Sequence, residues 1–242
     1  MNPSIFIIWS LFHLFFYSCY GGLSPKYKNQ GNKALNISSK IYTISVLGES
    51  RCPDTTRFFN NHFAKFVSEF GDDKNVKMNY IPFGKASCKK VGDDYECVCQ
   101  HKLLECQLNA LQNCVKDAYQ NKFKDYFPIV HCIQGKTSID DAASQCFTNI
   151  SKKLSKALKQ CGSGKKGRKL LAEAEKVQLS KAPNLNFVPW IIINSERNED
   201  VFHTGFEKSI CENYLTDSSA PAACSTYMYN QILTSINSEK RF

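Results

Sequence analysis

The spacing of apolar residues changes several times along the chain, and each change marks an element. Residues 4 to 17 form an unbroken run without a charge, followed by the small residues Ser18, Cys19, Gly21 and Gly22. The run reads as the apolar core of a cleaved signal peptide over 1–22, although the usual Lys or Arg before it is missing. A signal anchor is the alternative, but the run falls short of the ~20 residues a span needs. A polar tail over 23–39 comes next. Ile41 to Leu47 is rich in β-branched residues and predicts a strand. Gly48 to Cys52 is a turn, and Pro53 suits the first turn of a helix, where its missing N–H costs nothing. Phe59, Phe63, Phe66, Val67 and Phe70 then recur at helical spacing up to the stop at Gly71. Val76 to Phe83 alternates as a second strand.

From about 99 to 182 the pattern is helical. Leu103, Leu104, Leu108, Leu111 and Val115 mark one stretch, and a basic helix runs from Lys152 to Lys159. Phe187 to Ile193 predicts a strand, Asn194 to Asp200 a turn, Val201 to His203 a further strand, and Phe206 to Leu215 a last helix carrying Cys211. The order β-α-β, helical insertion, β-β-α within 40–242 predicts an α/β protein, namely a thioredoxin-like fold with a disulfide-stapled helical insertion.

With 242 residues, 43% of them hydrophobic, the chain can bury a proper core, which excludes disorder and a disulfide-only miniprotein. Its 12 cysteines take their meaning from the N-terminus. An exported chain meets an oxidising compartment, where cysteines form disulfides. The sequons at Asn36 and Asn149 fit export. The expected destination is extracellular, or endolysosomal after entry to the secretory pathway, with no membrane span in the mature chain. Cleavage removes Cys19 and leaves an odd number of cysteines, so one must be free or paired to another molecule.

Cys52 is the candidate for that odd thiol. At the start of a helix it meets the positive end of the dipole and unpaired N–H groups, both of which favour thiolate, the species that attacks disulfides. Arg51 acts in the same direction, whereas Asp54 opposes it. A two-cysteine reductase needs a resolving cysteine three positions on, and Cys52-Pro53-Asp54-Thr55 offers Thr55, which can donate a hydrogen bond to sulfur but cannot attack it. Pairing of Cys52 with another cysteine is the structural alternative. The candidates for disulfides are Cys88, Cys97, Cys99, Cys106, Cys114, Cys132, Cys146, Cys161, Cys211 and Cys224. If 99–114 is one helix, Cys99, Cys106 and Cys114 share a face but stand ~10 Å or more apart. They are then too far apart to bridge one another, and each must tie to a different segment. Zinc on Cys97, Cys99, Cys106 and His101 is a rival assignment, but it lacks paired Cys-x2-4-Cys spacing. Neither a metal nor a cofactor is expected.

The stretch Cys99-Gln100-His101, Glu105-Cys106, Asn109 and Cys114 resembles the signature of the gamma-interferon-inducible lysosomal thiol reductase family, Cys-Gln-His-Gly-x2-Glu-Cys-x2-Asn-x4-Cys. Seven of its eight fixed positions match, and Lys102 replaces the glycine. Ile81 to Ala86 and Val188 to Ile191 extend the resemblance over most of the mature chain. It implies a thioredoxin-like fold with a helical insertion, a Cys-x-x-Cys active site, and a cis-proline at Pro189 beside the catalytic sulfur, where backbone receives a substrate peptide. Because Thr55 stands in the resolving position, the family's dithiol activity is expected to be lost or strongly reduced. The chain is then mainly a binding protein, or at most a monothiol oxidoreductase using Cys52 with an external thiol.

The net charge of +9 concentrates in Lys152, Lys153, Lys156, Lys159, Lys165, Lys166, Arg168 and Lys169, with no acid from Ser151 to Ala172. Gly162 to Arg168 reads as a flexible basic loop, and Gly162 to Lys169 is not a P-loop, since Arg168 replaces the lysine, Lys169 the Ser/Thr, and no strand precedes it. The patch is either a solvated face or a surface for an anionic glycan or acidic protein. The expected partners are thus a disulfide-containing protein substrate or such a surface partner, and no nucleic acid. The chain would be a monomer or a Cys52-linked dimer.

Overall fold

A computed structural model describes residues 41–201, 205–213 and 220–239. The signal segment, the polar tail, Cys19 and Asn36 lie outside them. No described helix is long and apolar enough to cross a membrane.

Strand β1 (Tyr42–Gly48) pairs in parallel with β2 (Val76–Pro82), with Tyr42 opposite Val76 and Gly48 opposite Pro82. Parallel neighbours need a crossover connection. It is supplied by α1 (Pro53–Phe58), a π-helical turn (Phe59–Phe63) and α2 (Ala64–Phe70). The π turn accounts for an aromatic spacing that a regular helix would not bury. Phe58 and Phe63 are five apart and stack with centroids 5.7 Å apart, while the adjacent Phe59 reaches the core and meets Tyr80 edge-on at 4.9 Å.

On the other side of β1 lies the antiparallel β5 (Trp190–Ile193), followed by the short β6 (Glu196–Arg197), giving the order β2-β1-β5-β6. Tyr42, Ile44, Val46, Tyr80, Ile191 and Ile193 enter one apolar cluster, with the Phe59 and Phe63 rings. Leu47, Ile81, Trp190 and Ile192 enter a second, with Leu171. Both faces of the sheet are covered, which is why β5 is apolar at every position and β1 is buried at every position but Thr43. The mixed α/β architecture is thioredoxin-like.

Between β2 and β5 the chain makes a hairpin, β3 (Ser87–Val91) with β4 (Asp94–Val98), and then five helices. These are α3 (Lys102–Ala118), α4 (Phe123–Ile133), α5 (Ile139–Cys146), α6 (Lys152–Ser163) and α7 (Lys165–Lys181). Among the described residues two more follow the sheet, α8 (Phe206–Asn213) and α9 (Ala222–Glu239). The sequence pattern anticipates neither the hairpin nor α9. The second C-terminal strand is also misplaced: β6 falls inside the expected turn, Val201 is buried outside any strand, and 202–204 are not described.

Two further expectations fail for local reasons. Gly162 to Arg168 is not a flexible loop but the junction of α6 and α7, broken at Gly164 alone. Gly162 is required by close packing, since a Cβ there would lie 3.0 Å from the Leu111 Cβ on α3. Cys99 and Cys106 were expected on one helix and unable to pair, yet they form a disulfide with Cα atoms 5.5 Å apart. Helix α3 starts only at Lys102, whose φ of 68° reverses the chain and lays Cys99 beside the first turns. Only Cys114, joined to Cys161, ties α3 to another helix. The other bridges are Cys88–Cys97 across the hairpin, Cys132–Cys146 between α4 and α5, and Cys211–Cys224 between α8 and α9.

Lys102 occupies a left-handed conformation that costs a non-glycine residue about 1–2 kcal/mol. Its exposed side chain makes Lys102→Gly a clean test. Urea unfolding should show a gain of about 1 kcal/mol, reduced from the full strain by the freer unfolded chain.

Candidate functional site

Cys52 occupies the N-cap position of α1 in extended conformation (φ −68°, ψ 123°), without a side-chain capping bond, and Pro53 is the first helical residue. It is the free cysteine among the described residues and is 7% exposed. Its thiol points at the Val188 carbonyl, 3.9 Å away, immediately before the cis peptide bond to Pro189. Strand β1 delivers the turn, and the segment entering β5 covers it from the opposite side. An open groove of about 360 Å³ begins here, lined by Asp54, Arg57, Phe58, His62, Phe187, Val188 and Pro189. The Arg197 guanidinium stacks 3.7 Å from the Trp190 ring and 4.9 Å from that of Phe187, fixing one wall.

Thr55 is fully buried. Its hydroxyl oxygen accepts from the Glu49 N–H at 3.5 Å, so the group that replaces a resolving sulfur is turned back to the β1–α1 turn. Asp54, expected to act on Cys52, pairs instead with Arg57 at 2.8 Å on the exposed side of α1.

The signature residues lie directly behind this turn. Asn109 accepts from the Ser50 N–H at 2.8 Å and donates to the Phe83 carbonyl at 3.3 Å, joining the segments after β1 and β2. The Ser50 hydroxyl donates to the Glu105 carbonyl at 3.3 Å. Just past the end of α4, Gln134 donates to the Glu49 carbonyl at 2.7 Å and to the Thr56 hydroxyl at 3.1 Å. Glu105, fully buried, accepts from the His101 N–H at 3.0 Å and meets His101 Nδ1 at 2.5 Å.

Glu49 faces the same imidazole, its Oε2 lying 3.6 Å from Nδ1. Its Oε1 accepts from the Lys85 N–H at 2.6 Å, while Oε2 is buried without a hydrogen-bond partner. Gly84, with φ +68°, leaves space for this carboxylate, because a Cβ there would lie 2.0 Å from Glu49 Cγ. Burial raises the Glu49 carboxyl above its ordinary value, and the Glu105 charge adds to the rise against the Lys85 N–H and His101. Beneath them the Tyr80 hydroxyl is buried without a partner, and its proton is held well above the usual phenol range, first by burial and then by the Glu49 charge.

Glu49, Tyr80 and Gln134 escape the sequence reading. A glutamate in a turn reads as solvated, and Tyr80 reads as an ordinary inward residue of a strand. The four residues of the rival zinc assignment are separated in role, because Cys97, Cys99 and Cys106 are all in disulfides while His101 faces carboxylates.

The basic residues form a different surface. Lys159 pairs with Asp140 at 2.6 Å, Lys165 with Asp93, Lys166 with Asp117 at 2.6 Å and Lys169 with Glu173 at 3.8 Å. Arg168 grips Asp94 with two bonds, at 3.0 and 2.5 Å, and the Asp94 carboxyl falls to about 2 through that contact. Lys152, Lys153 and Lys156 have no acidic partner among the described residues. Lys152, Lys156 and Lys159 line an open groove of about 620 Å³ with Phe147, Ile150 and Ser155, next to the exposed Asn149.

The fold is shared with known thiol–disulfide oxidoreductases. The MdbA thiol-disulfide oxidoreductase of Corynebacterium diphtheriae superposes with a TM-score of 0.51 at 14% identity, covering 73% of this chain and 87% of that one. The reduced disulfide bond oxidoreductase DsbG of Mycobacterium tuberculosis does so at 0.50 and 17%, covering 76% and 82%. These define the class as a thioredoxin-like scaffold with a helical insertion.

Residues 43–150 match the profile of the gamma interferon inducible lysosomal thiol reductase (GILT) family. The GILT-like protein C02D5.2 of Caenorhabditis elegans is 39% identical over 188 residues, covering 78% of this chain and 56% of that protein. This chain therefore spans little more than half of C02D5.2. The GILT-like protein ZK669.3 of the same organism is 36% identical, with 69% and 78% covered. The gamma-interferon-inducible lysosomal thiol reductase of Carassius auratus is 26% identical, with 79% and 75% covered. The chain belongs to the GILT family.

A carboxyl raised by burial holds its proton more firmly in the folded than in the unfolded protein. Its contribution to stability is complete below the ordinary value of 4.5 and is lost as pH rises through the folded-state value. Glu49→Gln removes that dependence. The stability of wild type relative to Glu49→Gln should therefore improve as the pH of chemical unfolding is lowered from 7 toward 4.5.

Proposed function

We propose that this chain keeps the scaffold and peptide-facing groove of a thiol reductase but not its two-cysteine turnover, and acts mainly by binding. One observation carries this reading. Among the described residues Cys52 is the free thiol, and the resolving position holds Thr55, buried and hydrogen-bonded to the turn. A mixed disulfide at Cys52 therefore meets no second described thiol able to release it.

Monothiol exchange is the second reading, favoured by the placement of Cys52 at a helix start beside the groove. In that reaction the Cys52 thiolate attacks one sulfur of a substrate disulfide, forms a mixed disulfide and expels the other substrate sulfur as a thiolate. An external thiolate then attacks Cys52 Sγ and releases the first substrate sulfur. A second equivalent regenerates Cys52 and leaves the external thiol as its disulfide. The recessed position of Cys52 favours a small thiol or an extended peptide over a second folded copy, so we infer a monomer rather than a Cys52-linked dimer. The apolar N-terminal run and the word lysosomal in relatives' names support export with an extracellular or endolysosomal destination. The groove over Lys152 and Lys156 is a second binding surface in this reading, suited to an anionic glycan or acidic protein.

Reduction of a disulfide peptide by excess cysteine separates the two readings. Under the binding reading wild type and Cys52→Ser give the same background rate. Under monothiol exchange wild type exceeds Cys52→Ser. Thr55→Cys should exceed both, because it restores the missing thiol. Retention on immobilised heparin should weaken with salt and in Lys152→Glu/Lys156→Glu; unchanged retention in that variant excludes the groove as the binding surface.

A further inference from the structure

Behind the Cys52 turn the protein buries two carboxyl groups against a single imidazole. Glu49 and Glu105 are both fully buried, and the imidazole of His101 stands between them. Glu105 spends one oxygen on the His101 N–H and aims the other at Nδ1. Glu49 spends Oε1 on the Lys85 N–H and leaves Oε2 aimed at the same nitrogen without a hydrogen bond. One oxygen from each carboxylate and one imidazole nitrogen lie within 4.8 Å of one another. An orphaned buried carboxylate oxygen is costly, because it has left water with nothing in exchange.

We propose that Glu49, His101 and Glu105 form a binding site for one divalent transition-metal ion of the zinc class, on the turn that carries Cys52. The donor set is one imidazole nitrogen and two carboxylate oxygens, a combination that suits zinc, whose bonds to such atoms are ~2.0–2.2 Å. Tetrahedral bonds of that length place ligand atoms ~3.3 Å apart. The 3.6 Å separation of Glu49 Oε2 and Nδ1 already meets this, and the 2.5 Å contact of Glu105 must open by about 1 Å, a small rotation of a carboxylate. With neutral imidazole the two carboxylates carry two negative charges, and a divalent ion cancels both. The His101 side chain is 33% exposed, so the site has an approach from solvent.

The cluster also bears on the thiol. The Glu49 carbonyl accepts the Cys52 N–H at 3.3 Å, so an ion held by the Glu49 side chain stiffens the backbone that places the sulfur. The proposal is independent of redox activity, since Cys52 is not among the ligands.

Isothermal titration of the full chain with zinc chloride at neutral pH, after chelator treatment, tests it. One equivalent should bind to wild type, with the same affinity in Cys52→Ser. Affinity should fall by ~100-fold or more in Glu49→Gln, an isosteric change that keeps the bond from the Lys85 N–H, and likewise in His101→Gln, whose ring is partly exposed. Absence of stoichiometric binding to the folded wild type overturns the proposal. So does affinity retained in Glu49→Gln or His101→Gln, or affinity lost in Cys52→Ser, which would assign the ion to the thiol.

Discussion

The backbone from Gly48 to Cys52 is held by side chains from elements far away in sequence, and the geometry of the thiol depends on those bonds. Asn109 of α3 and Gln134 at the C-cap of α4 take up the Ser50 N–H and the Glu49 carbonyl, and the Gly135 N–H donates to the Ser50 carbonyl at 2.8 Å. Each such bond is worth only about 1 kcal/mol net, but a buried partner left unpaired costs more. The insertion is thus not an appendage to the sheet. It supplies the wall against which the turn is set, and its helices could not be removed without leaving polar backbone buried and unpaired.

Seen from that wall, the family signature is mostly a device for shaping a turn. Cys99 and Cys106 close the approach to α3, His101 and Glu105 face Glu49, and Asn109 bridges the ends of β1 and β2. None of these contacts needs a second sulfur at position 55. A hydroxyl bonded to the Glu49 N–H, with its methyl packed against Gly48, satisfies the same pocket. Scaffold and redox pair are therefore separable, which explains how the signature persists at seven of eight positions around a motif that lacks one cysteine.

Much of the architecture was legible because its causes are local. β-branched runs marked β1 and β2, the proline after Cys52 marked α1, and phenylalanines at helical spacing marked the crossover. Cys52 stood out by its helix-start position and the odd cysteine count. What was hidden depends on backbone reversals and distant packing. A lysine carries no mark of a left-handed φ, so the Cys99–Cys106 bridge looked impossible on a helix assumed to begin three residues too early. The basic run between α6 and α7 read as a loop because Gly162 suggests flexibility, whereas it is there to admit Leu111. The hairpin 87–98 has a turn at Gly92 but mostly exposed residues, so no apolar alternation betrays it. Glu49 was unreadable for the opposite reason, being a charge buried where composition predicts water.

The pairing of the cysteines has a consequence for how the molecule is made. Among the described residues four of the five bridges join cysteines only 7 to 14 positions apart, Cys114–Cys161 spans 47, and none of these crosses another in sequence. Each cysteine of the local pairs finds its mate in the same stretch of newly made chain, so oxidation can follow the direction of synthesis without exchange of partners. Only Cys114 must wait while the Cys132–Cys146 loop closes within its own. Cys52 emerges ahead of all of them, and its release from that competition rests on folding the β1–α1 turn before an oxidant or a neighbour reaches it.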